Sequence, residues 1–101
     1  MPPSSPMPYI SQTNRAEITP ELQNLINWFC EADSIPENVG ELNFAISTLL
    51  NAMIEKHGIS YSNLNALIGS LDCIKLELYR RIAVPYEDLK IIQNGDVYGS
   101  Q

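Results

Sequence analysis

Six side chains between positions 75 and 90 concentrate the chemistry this chain offers: Lys75, Tyr79, Arg80, Arg81, Tyr86 and Lys90. Guanidinium forks match phosphate oxygens, and phenol rings stack on flat π-faces, so the mixture suits a small anionic, nucleotide-like ligand. Lys75 and Tyr79 are four apart on one helix flank and can reach a common pocket. Two plainer arrangements compete. Arg80 and Arg81 could neutralise the negative end of a helix while both tyrosines pack, or tyrosine and arginine could anchor a dimer interface. The six residues form the expected ligand-binding set, with no catalytic residue, metal ligand or cofactor among the expectations.

An acid-base or nucleophilic centre has little to draw on. There is one histidine, no Gly-x-Ser-x-Gly, no glycine loop to cradle a phosphate, and no pair of carboxylates that spacing alone would bring together. His57 stands without Cys, Asp or a second His at ligand spacing, and reads as a cap on a helix end. A weaker, enzymatic alternative would have Glu87 and Asp88 hold a metal while Lys75 and Arg80 orient a phosphate.

Charge limits the partners. The net charge of −6 argues against general nucleic-acid binding, which needs a basic surface. Its distribution points the same way as the six residues. Between 75 and 90, four cations outnumber three acids, leaving +1, whereas the rest of the chain carries −7. Only 18% of residues are charged, a shortfall for so small a surface that favours a covered one and hence a homo-oligomer.

These residues must be positioned by helices. Leu64, Leu67, Leu71, Ile74, Leu78 and Ile82 recur at spacings of three and four, the period of one helix face, so a helix is expected over about 61–83. Ser60 caps its start, and Pro85 should end it by disfavouring helical geometry at Val84. Gly69, Cys73, Leu76, Arg80 and Ala83 form a second row. The glycine there suggests that another backbone comes close.

Upstream, Thr19-Pro20-Glu21 reads as the start of a first helix, whose buried face would be Leu22, Leu25, Ile26 and Phe29, with Trp28 to one side. Residues 33–40 read as a loop or short helical turn. A second helix over about 41–56 carries a wide apolar face from Leu42 to Ile54 and closes on His57-Gly58. After Pro85 a short segment, 86–93, closes on the turn signal Asn94-Gly95. The fold class is all-α: a small bundle of three main helices plus a short C-terminal helix.

At 101 residues the chain is one domain, expected as an arm over 1–8, a helical body over 9–98 and a tail over 99–101. MPPSSPMP, with four prolines, resists regular structure. Cys30 and Cys73 read as free buried thiols rather than a disulfide. No signal peptide and no apolar run of membrane-crossing length is visible, so a cytoplasmic location with no membrane partner is expected.

The chain also resembles a family of short uncharacterised proteins found widely in bacteriophage and environmental genomes. The residues that carry the likeness are Met7-Pro8-Tyr9-Ile10, Arg15, Glu41-Leu42-Asn43-Phe44, Ile68-Gly69, Leu71, Cys73, Lys75, Glu77, Tyr79-Arg80-Arg81, Pro85-Tyr86-Glu87-Asp88 and Asn94-Gly95-Asp96-Val97. The family lends no activity. The resemblance implies a phage origin, and by class-level analogy a protein that sequesters a nucleotide signal of host defence or, alternatively, an interaction module that inhibits a host protein.

Overall fold

The computed structural model describes residues 10–99, so the arm expected over 1–8 lies outside the described residues. Helix α1 runs Gln12–Cys30, a 3-10 turn covers Pro36–Asn38, α2 runs Val39–His57 and α3 runs Tyr61–Leu78. A π-helical turn over Tyr79–Ala83 joins α3 without a break to α4, Val84–Asn94. The described residues are helices and connections alone, so the chain is all-α, with its three main helices and a C-terminal helix in the expected order.

Two helix boundaries differ from the sequence reading. The first helix starts well before Thr19, because Ser11 is its cap: the serine oxygen accepts the Asn14 N–H at 3.2 Å. Thr19 sits inside the helix, and its hydroxyl donates to the Arg15 carbonyl at 2.6 Å. Pro20 follows it within α1. It has no N–H to return to the carbonyl one turn back, so it marks a weak point in a helix rather than a start.

The second difference is at Pro85, where the chain does not stop. Having no N–H, Pro85 cannot close the normal α-helical bond, and the turn before it widens so that Val84 N–H reaches back to the Tyr79 carbonyl, five residues away. Helical backbone therefore continues from 61 to 94. At 1.5 Å per residue that is roughly 50 Å, and the molecule's longest dimension is 50 Å.

The α2–α3 connection is the best-tied joint. Gly58, at φ +93°, donates its N–H to the Ile54 carbonyl at 2.7 Å and ends α2, as the His57-Gly58 signal implied. Ser60 caps α3 by accepting the Asn63 N–H at 3.0 Å. The Asn63 side chain then donates back to the carbonyls of Gly58, at 2.9 Å, and His57, at 3.3 Å. One asparagine thus closes the hairpin from its second helix onto the end of its first. At the other end of α2, the Asn38 amide donates to the Phe29 carbonyl at 3.1 Å and ties the end of α1 to the 3-10 turn.

Packing centres on the α2–α3 seam near that joint, where Leu50, Ile54, Leu64 and Leu67 are half-buried; Phe29 and Ala32 at the end of α1 are half-buried as well. No described residue is fully buried. The expected buried face of α1 is instead open: Leu22, Leu25 and Ile26 are exposed, as is Trp28, whose ring meets Phe29 edge-on at 5.0 Å. The physical reason is that α1 projects from the hairpin with no second layer against its stripe. A methyl added at Gly69 would meet nothing within 4 Å among the described residues, so no other element of them approaches there. Both cysteines are free, and Cys30 is exposed rather than buried.

Candidate functional site

All six of the expected ligand-binding residues lie on the continuous 61–94 helix, and the π turn decides which of them meet. Two α-helical turns span about 7.2 residues; the extra residue of a π turn stretches them to about eight. Tyr79 and Glu87 are eight apart, and the Tyr79 hydroxyl does reach Glu87 Oε2, at 3.4 Å. Without the widened turn these side chains would leave the helix in different directions.

Beyond the turn, Lys90 lies one helical turn after Tyr86 and places its ammonium 5.4 Å from the ring centroid, within the range of a cation–π contact. Upstream, Lys75 shares a flank with Tyr79 at i, i+4. The structure therefore groups Tyr86 with Lys90 and ties Tyr79 to a carboxylate on the same stretch. Arg80 does not join them. It points to Glu77, with one guanidinium nitrogen 2.8 and 2.9 Å from the two carboxylate oxygens, and this i, i+3 pair is two-thirds exposed on the arginine side. Arg81, next to it, has an interaction of its own and leaves the helix roughly 100° further round.

An open hollow of about 400 Å³ lies at the end of this helix, bounded by Glu87, Lys90, Ile91 and the segment Asn94–Tyr98. Gly95, at φ +86°, returns its N–H to the Ile91 carbonyl at 2.8 Å and turns the chain. Asp96 accepts the Tyr98 N–H at 3.0 Å and folds the segment back beside α4. Lys90 is the member of the expected set that lines this hollow. Spacing gave no reason to add Tyr98 or Glu87 to the set; the signal that pointed here was the turn dipeptide Asn94-Gly95. A second hollow, of about 460 Å³, opens where α1 meets α2, lined by Phe29, Ile35 and Leu42 among others, and is mainly apolar.

Among the described residues, no group of three or more His, Cys, Asp and Glu side chains is placed to hold a metal. No helix is long and apolar enough to cross a membrane.

An all-α chain with one tied hairpin, one projecting helix and lysines and tyrosines distributed along a long third helix defines a small helical protein. Residues 7–97 match the family described as Domain of unknown function (DUF6899), and the chain belongs to that family. Neither a curated protein nor a solved structure matches it.

Proposed function

We propose that this is a non-catalytic binding protein that sequesters a small anionic, ring-bearing ligand of nucleotide type around Tyr86 and Lys90, with Lys75 and Tyr79 on the adjacent flank of the same helix. The observation that carries the reading is the pairing of Lys90 with the Tyr86 ring at 5.4 Å, on the same helix as a second tyrosine held by Glu87. Ammonium groups supply charge to phosphates, while the two phenols offer faces for a base. Arg80 and Arg81 add positive potential from the flanks. With the bacteriophage resemblance, the ligand class is a nucleotide signal of host defence, and the activity is removal of that signal from solution.

Isothermal titration of the folded protein against cyclic nucleotides and ADP-ribose derivatives tests this. Heat with one class is expected, and it should fall at least tenfold in Tyr86→Leu and Lys90→Gln, whose side chains are exposed and whose replacement leaves the helix intact. No heat with any member of the panel would remove the proposal.

A further inference from the structure

We propose that a second copy of this chain covers its open apolar stripes, with α1 of one copy lying on the bare half of the long helix of the other. The first observation is area. A compact folded monomer of 11.3 kDa exposes about 5,700 Å², whereas this chain exposes 8951 Å². The surplus is roughly 3,000 Å² per chain. Permanent homodimers bury about 2,000–5,000 Å² in total, so two chains carry enough unsatisfied surface for an interface of that class. The radius of gyration agrees, at 17.7 Å against about 13 Å for a compact chain of this length.

The second observation is where the surplus lies. Along the long helix the stripe loosens steadily once it leaves the α2 seam: Leu71 is 38% exposed, Ile74 55%, Leu78 62% and Ile82 63%. This uncovered half spans about 16 Å from Leu71 to Ile82. The open stripe of α1, centred on Leu22, Leu25 and Ile26, runs from Ile18 to Phe29 and spans the same ~16 Å. Two helical stripes of equal length, each largely uncovered in its own chain, satisfy one another when copies exchange α1 reciprocally.

The third is charge. The stripe residues named here are uncharged, and each copy carries −6. Copies therefore repel through their net charge and attract through apolar burial, so added salt should strengthen the association. A basic protein partner held by the acidic surface would show the opposite salt dependence.

Sedimentation equilibrium on the full chain should give a mass of at least twice 11.3 kDa, and the thermal midpoint should rise with chain concentration, as mass action requires when folding and assembly are coupled. In a background with Cys30 and Cys73 replaced by Ser, mixing a Leu25→Cys chain with a Leu78→Cys chain should yield the mixed disulfide. Leu78→Asp should reduce the mass to that of a single chain. A folded wild-type monomer with a concentration-independent midpoint would overturn the proposal, as would an oligomer that forms no mixed disulfide or weakens with salt. None of these readouts involves a ligand, so their failure leaves the titration result standing, and the reverse.

Discussion

Tyr79 and Glu87, eight residues apart in one unbroken helical run, meet through a hydroxyl–carboxylate hydrogen bond of 3.4 Å. A regular α-helix does not pair i with i+8 so directly; the π turn between them supplies the extra residue. Pro85 is the cause, since it removes the N–H that the regular ladder needs at that point. The same widening turns Tyr86, the residue before Glu87, about 100° round the axis from Tyr79, and Lys90 with it, so a backbone detail separates the candidate residues onto two adjacent flanks.

Deleting Ala83 removes the extra residue and restores ordinary helical register. The helix should survive, with an unchanged far-ultraviolet circular dichroism spectrum. Tyr79 and Glu87 then stand seven apart, still about two α-helical turns, so the segments on either side of the turn should keep their relative orientation. Ligand heat, where the intact protein gives any, should be retained. Loss of binding in the deletion variant would show that the widened turn itself, and not the register it sets, is part of the site.

Asn63 holds the α2–α3 hairpin by donating to two carbonyls across the turn. Asn63→Ala should cost about 1–2 kcal/mol in urea unfolding at fixed chain concentration, since both carbonyls lose a partner at a half-exposed joint. Hydrogen exchange should quicken first at Gly58 and the start of α3. A loss below a few tenths would mean that water replaces the asparagine without penalty.

The sequence shows the helices more clearly than their ends or their company. Period, the Ser60 cap and the glycines at 58 and 95 are local, and each is found where the pattern implied. Thr19-Pro20 and Val84-Pro85 misled for one reason: proline usually marks a helix boundary, and here the chain absorbs it, once inside a helix and once with a π turn. The burial of α1 was read from its apolar stripe, but a stripe says only that a helix needs a neighbour. Whether that neighbour belongs to the same chain is outside the reach of periodicity. For the candidate site, Lys90 and Tyr86 were within reach of spacing, while the role of Glu87 depends on an inserted residue that no composition rule reveals.

Pro20 is the weak point of α1. Pro20→Ala restores an N–H to the ladder, and in an exposed helix interior it should raise stability by about 1–3 kcal/mol. The measurement is a urea titration at constant chain concentration, with amide protection along α1 as a second readout. If the variant is instead less stable, Pro20 is needed to seat α1 against the proposed second copy.

Gly69 discriminates between a bare and a covered flank of the long helix. Among the described residues nothing lies within 4 Å of a methyl placed there, and an alanine in a helix interior is favoured over glycine by about 1 kcal/mol. Gly69→Ala should therefore raise the unfolding midpoint and leave the mass in sedimentation unchanged, because the proposed interface uses the stripe from Leu71 to Ile82 and not this row. A loss of stability together with a smaller mass would place a second copy's backbone against Gly69, and would move the interface to the row of Gly69, Cys73 and Leu76.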